Sequence, residues 1–101
     1  MSTALTNAQK RYLRGLAHDL KPVILLGAKG VTPALIAELD LALEQHELIK
    51  AKVPAEDRET RDAWIADICE QSGAALVNRI GHTAVLYRRS KNKPLVILPK
   101  A

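Results

Sequence analysis

An α/β fold, a mixed four-stranded sheet packed with three helices, follows from three features of this sequence. Apolar residues recur at helical spacing in three separate stretches. Short apolar or β-branched runs fall between those stretches, and most glycines and prolines stand at the junctions. The last two runs are close enough in sequence to form an antiparallel hairpin. The order is therefore helix, strand, helix, strand, helix, strand, strand, which implies an α/β sandwich. At 101 residues the chain holds one such core, spanning residues 1–101, and not two.

The first helix is expected to start near Thr6, whose hydroxyl can cap it while Gln9 reaches back as in a capping box. Ala8, Tyr12, Leu16 and Leu20 then recur one turn apart, widened by Leu13 and Ala17. Lys10, Arg11, Arg14 and His18 fall largely outside that stripe. Lys21-Pro22 ends the helix, because a residue before proline is pushed away from helical angles. Val23–Leu26 is a continuous apolar run, as in a strand buried on both faces. After a two-glycine turn, Thr32-Pro33 opens the second helix: threonine can cap it, and proline suits the first helical position.

That second helix runs to about Gln45 on Leu35, Ile36, Leu39, Ala42 and Leu43, with Glu38 and Glu44 outside. Glu47 to Val53 reads as a strand that places Lys50 and Lys52 on one face and stops at Pro54. The third helix spans roughly Glu56 to Gln71 on Trp64, Ile65, Ile68 and Cys69, and Ser72-Gly73 supply its exit. Ala74–Ile80 and Thr83–Arg88 are the hairpin strands, joined through Gly81-His82. Residues 89–101 are a basic tail, in which Leu95 to Leu98 read either as a short edge strand or as loose chain.

No apolar run approaches the ~20 residues needed to cross a membrane. The start, Met1-Ser2-Thr3-Ala4-Leu5, lacks the basic-then-apolar pattern of a secretory signal. Cys69 is the one cysteine, so no internal disulfide can form and a reducing cytoplasm is the expected compartment. One cysteine and three scattered histidines argue against a structural zinc site.

The net charge of +4 is unevenly distributed. Residues 1–31 carry Lys10, Arg11, Arg14, Lys21 and Lys29 against Asp19 alone. Acid then dominates through Glu38, Asp40, Glu44 and Glu47, and again across 56–70. From Arg79 onward the charges are Arg79, Arg88, Arg89, Lys91, Lys93 and Lys100, with no acid. Such segregation predicts one basic and one acidic face. A basic stripe is the electrostatic footprint of nucleic-acid binding, though any surface is charged and the stripe gains weight only with the loop.

Placed after a strand and before a capped helix, Gly27-Ala28-Lys29-Gly30 would aim backbone amides and a helix's positive end outward, with Lys29 at the tip. Two glycines would let a polyanion approach without a Cβ in the way. The tetrapeptide resembles the GxxG clamp that KH domains use on nucleic-acid backbones. An ordinary tight turn also explains the glycines, and it is the placement that favours binding. The loop lacks the spacing and the Lys-Ser/Thr of a Walker motif, so nucleotide hydrolysis is not expected.

Other residues give blander readings. His46-Glu47 lacks the second histidine of a zinc peptidase, because position 50 is Lys50, and His46 reads as a histidine near a helix's negative end. His18 reads the same way and His82 as part of a turn. Cys69 reads as a buried small hydrophobe, and Asp62 and Glu70 as solvated helix charges. No serine pairs with a histidine and an acid, so an enzyme, a cofactor and a small-molecule substrate are all disfavoured. Tyr12 and Tyr87 read as core. With three aromatics and no Phe, the stacking surface of an RRM is missing, and recognition should lean on backbone contacts and RNA shape.

Several spaced motifs occur in a fixed order: Arg14-Gly15-Leu16-Ala17-His18-Asp19-Leu20-Lys21-Pro22-Val23, Leu26-Gly27-Ala28-Lys29-Gly30-Val31-Thr32 and His46-Glu47-Leu48-Ile49-Lys50-Ala51-Lys52. Ile80-Gly81 and Val85-Leu86-Tyr87-Arg88 follow. On these motifs the chain closely resembles the bacterial YhbY family, the stand-alone form of the CRM domain (chloroplast RNA splicing and ribosome maturation). The resemblance covers nearly the whole chain up to the basic tail. It implies a four-stranded mixed sheet with three helices, related to the C-terminal domain of a bacterial translation initiation factor. It also implies an RNA-binding protein that associates with ribosomal RNA of large-subunit precursors and assists ribosome assembly.

The residues expected to carry RNA binding are Gly27, Ala28, Lys29, Gly30 and Thr32, extended by Lys21, Arg14, Lys50, Lys52 and Arg88. A monomer without cofactor or membrane contact is expected. The rival reading is an adaptor that docks ribosomal proteins or an assembly enzyme through its acidic helices. DNA binding is a weaker alternative, since no helix concentrates base-reading polar residues beside its charges.

Overall fold

The computed structural model describes residues 5–27 and 29–90. Its elements run α1 (Asn7–Ala17), β1 (Ile24–Leu25), α2 (Pro33–His46), β2 (Leu48–Lys52), α3 (Arg58–Ser72), β3 (Ala75–Ile80) and β4 (Thr83–Tyr87). The four strands form one mixed sheet in the order β1-β2-β4-β3. Strand β1 pairs parallel to β2, and β4 runs antiparallel to both β2 and β3. This is the predicted α-β-α-β-α-β-β order with three helices and a mixed sheet. Ala28 and the tail from 91 onward, including Leu95 to Leu98, lie outside the described residues.

The two sheet faces are filled differently. On one, α2 and α3 bring Leu35, Leu39, Leu43, Ile65 and Ile68 against Ile24, Leu26, Ile49, Ala51, Ala84 and Leu86. On the other, α1 sets Leu13 and Ala17 against Leu48, Val77, Val85 and Tyr87, with Leu5 packed beside them. Strand β2 is therefore buried from both sides, which explains why its apolar residues do not alternate cleanly. Burial pushes the Tyr87 hydroxyl above its ordinary pKa, and the charge of Glu47 adds to this. Cys69 is half-buried against the larger core, and desolvation pushes its thiol up to about 11.

Local signals place the helix ends. Thr6 and Gln9 form the predicted capping box at α1. Thr32 accepts the Leu35 N–H at 3.1 Å, and Pro33 follows it at the first helical position of α2. Asp57 caps α3 through the Thr60 N–H at 2.9 Å, which holds its carboxyl below the ordinary pKa. Gly73 closes α3 in the left-handed conformation, φ +76°, as glycine at that position can.

Several expectations need correction. Helix α1 stops at Ala17, one turn short of Lys21-Pro22, and the chain continues through a turn in which Leu20 N–H donates to Ala17 O at 3.0 Å. Its outer stripe is not core: Tyr12, Leu16 and Leu20 remain 43%, 44% and 38% exposed. Strand β1 is buried on one face only, with Val23 and Leu25 half or more exposed, because α1 packs chiefly over β2, β3 and β4.

Glu47 is neither strand nor surface acid. It caps α2 at φ +61°, ψ −48°, and is fully buried. That conformation is strained for a residue with a Cβ. The surroundings hold it there: its N–H donates to Leu43 O at 2.8 Å, its C=O accepts from Arg88 N–H at 2.9 Å, and its carboxylate accepts from Ser90 N–H at 2.6 Å.

Leu39 is fully buried at the centre of the larger core. Leu39→Ala should cost about 2–5 kcal/mol of unfolding free energy through lost burial and a residual cavity, read from urea midpoints at unchanged m-value.

Candidate nucleic-acid interface

The turn from Gly27 to Gly30 closes on itself. Gly30 N–H donates to Gly27 O at 3.0 Å, and the two glycines form an isolated antiparallel bridge. Gly27 and Lys29 are exposed, whereas Gly30 is buried at φ +70°. A Cβ on Gly30 would lie 2.7 Å from the Trp64 indole, while one on Gly27 would meet nothing within 4 Å.

The expectation of two open glycines therefore needs correction. Only Gly27 leaves room for an approaching chain. Gly30 is glycine because Trp64 of α3 forms the floor beneath it, and because φ +70° suits glycine. The sequence showed Trp64 as a helix-stripe residue, and nothing in its spacing tied it to the loop.

The supply of outward amides is also smaller than expected. The Gly30 N–H is spent within the turn, the Leu35 N–H on Thr32 Oγ1, and the Ile36 N–H on Thr32 O. Pro33 has none, so Ala34 alone keeps a first-turn N–H of α2 without a partner among the described residues. The threonine oxygen is engaged in capping, so Thr32 acts first as the residue that positions the helix. What the turn presents to solvent is mainly Lys29 and the Gly27 backbone.

The other cations divide into two groups. Lys50 and Lys52 alternate with Ile49, Ala51 and Val53 along and beyond β2, and so stand on the α1 side of the sheet. Lys50 Nζ donates to His18 O at 3.4 Å, a cation at the carbonyl end of α1. Lys52 pairs in register with Leu25, and Val23 N–H donates to Lys50 O at 3.0 Å. Exposed Lys21 enters this region from the loop, and Arg14 stands one turn before His18 on α1. Arg14, Lys21, Lys29, Lys50 and Lys52 thus follow α1, β1 and β2.

Arg88 does not join them. Its guanidinium is taken by the Asp40 carboxylate, by Ser72 O at 2.7 Å, by Asp40 O at 3.1 Å, and by Glu44 at 3.7 Å. Arg88 is thereby a clamp that ties the end of β4 to α2 and to the end of α3. Arg79 is likewise paired with Asp62, which also lies 3.8 Å from Arg58, so Asp62 is not a simple solvated charge. Two of the arginines that made the C-terminal third look basic are neutralised against the acidic helices.

The comparison with known proteins decides the family. The sequence profile of the CRS1 / YhbY (CRM) domain matches residues 5–88. The chain belongs to the CRS1 / YhbY (CRM) domain family. Among its CRM relatives, a Haemophilus influenzae protein named RNA-binding protein is 49% identical over 89 residues, covering 88% of this chain and 90% of that one. A Bacillus subtilis protein, named a probable RNA-binding protein, is 39% identical over 95 residues, 94% and 99% of the two chains. The solution structure of a hypothetical protein from Staphylococcus aureus superposes with a TM-score of 0.82 at 36% identity, covering 95% of this chain and all of that one.

The two glycines of this CRM domain should separate on substitution. Gly30→Ala should lower stability, by about 1–3 kcal/mol from the strained φ alone, and should change the emission of Trp64. Gly27→Ala should leave both within experimental error. Urea melts followed by tryptophan fluorescence read both outcomes.

Proposed function

We propose that this chain is a non-catalytic RNA-binding protein that holds the sugar-phosphate backbone with Lys29, the Gly27 turn and the cations along α1 and β2. The observation that carries this reading is the row of Lys21, Lys50, Lys52 and Lys29, none of which forms an ion pair among the described residues, beside a turn whose one open glycine admits a close backbone. Relatives across most of the chain's length bear RNA-binding names, and the family match spans the same residues. The wider role is assistance to large-subunit assembly, through ribosomal RNA of precursor particles, by a monomer in the cytoplasm. It rests on the family resemblance of the motifs and on a lone cysteine that suits a reducing compartment.

The adaptor reading loses ground, because part of the acid it needs is engaged within the fold. Asp40 and Glu44 hold Arg88, and Glu44 also accepts from Ser90 Oγ at 2.8 Å. Glu38 is exposed and remains the clean position for charge reversal. Glu38→Lys should leave RNA affinity unchanged or raised, whereas an adaptor would lose its ribosomal association.

Lys29→Ala should weaken RNA binding with little sequence dependence and reduce the salt slope of log K by about one, the signature of one lost phosphate contact. Arg88→Ala should instead lower stability by about 1–2 kcal/mol and leave that slope unchanged. Titrations at several salt concentrations check both, and an unchanged slope for Lys29→Ala sinks the clamp. Crosslinking the chain to large-subunit precursors should place contacted nucleotides on Lys29, Lys50 and Lys52. Crosslinks confined to α2 and α3 would refute the reading.

A further inference from the structure

A groove of about 400 Å³ opens between the end of α1 and the outer side of β1 and β2. Leu16, Leu20, Val23 and Leu48 form its apolar walls, and Lys21 and His46 stand at its rim. Three of these apolar residues keep 38–50% of their surface in water, which is costly for aliphatic side chains gathered in one place. None of the described residues lining it is acidic. Lys50 lies at the same helix end, its Nζ 3.4 Å from His18 O.

From this arrangement we infer that the groove receives an unstacked nucleobase of single-stranded RNA; the inference rests on the RNA-binding reading above and adds the class of RNA. The cationic rim complements a polyanion, and the walls complement a ring that has left its stack. The size fits one heterocycle with its sugar. An amphipathic peptide helix would need anchors over two turns or more, and so a longer trough. From Val23 to Gly27 the chain climbs about 13 Å at strand spacing, with Lys50 and Lys52 alongside. A backbone held at Lys29 can follow those lysines to the groove. A duplex, whose bases are stacked inside, offers nothing to fill it.

The test is a titration of the intact chain with a single-stranded adenylate hexamer and with a duplex of equal length, followed by methyl NMR and by anisotropy. A bound base should move the methyl signals of Leu16, Leu20, Val23 and Leu48 upfield by its ring current, with the hexamer only. Val23→Ser should weaken hexamer binding about 5–10-fold, as expected for the lost apolar contact, with the salt slope and duplex affinity unchanged. Val23→Thr, which keeps the shape and the β-branch, serves if the serine variant does not fold. Lys29→Ala should weaken both ligands and still show the shifted methyls at saturation. Methyl signals that stay in place, equal effects of Val23→Ser on hexamer and duplex, or a changed salt slope would each overturn the proposal. Loss of a protein partner with RNA binding intact would overturn it in favour of a peptide. Absence of binding to either RNA would instead overturn the underlying function.

Discussion

Four strands at about 4.8 Å spacing span about 14 Å between their outer members, and one helix with its side chains is about 10–12 Å wide. A single helix cannot cover such a sheet. Two helices close one face here, and among the described helices α1 is the one that lies over the other, toward β2, β4 and β3. Among the described residues no helix covers the outer side of β1, and the features proposed for recognition gather along it. Val23 and Leu25 are exposed there, Lys50 and Lys52 stand beside them, and β1 leads directly into the Gly27–Gly30 turn. Trp64, packed against the larger core, lies beneath Gly30, so α3 supports a turn that its own Gly30–Gly27 hydrogen bond closes.

Charge follows the same division. Read along the chain, the C-terminal third is basic and the two later helices are acidic. In space, Arg79 and Arg88 lie against those helices and cancel part of their charge. Among the described residues, the cations on α1, the first loop and β2 form no ion pair. Exposed pairs of this kind contribute little to stability. Arg88 contributes more than its charge, because its guanidinium bonds two backbone carbonyls from different helices and so fixes how α2, α3 and β4 meet.

The element order, the caps of α1 and α2 and the buried stripes of α2 and α3 were legible because each rests on local chemistry: Thr6 with Gln9, Thr32 with Pro33, and apolar residues one turn apart; the Asp57 cap of α3 was not picked out. That β1 is buried on one face only was not legible. Val23 to Leu26 are all apolar, and their exposure depends on where α1 lands. Within the site, Lys29 and the pairing of Lys50 with Lys52 could be read from spacing. The fate of Arg88 could not, since its partners Asp40, Glu44 and Ser72 come from distant segments. A further demand on Gly30 was not legible: it comes from an indole 34 positions away.

Glu47 meets two demands that few residues satisfy together. Its backbone sits in a region where glycine would be relaxed, and its carboxylate holds the Ser90 amide in a place closed to water. Glycine would ease the main chain and orphan that amide. Glutamine would keep an acceptor but bring in two hydrogens needing partners of their own, and valine or isoleucine would fail on conformation alone. The position therefore has a very narrow set of workable side chains, although it contacts no proposed ligand. Invariance there across relatives would report on architecture, not on recognition.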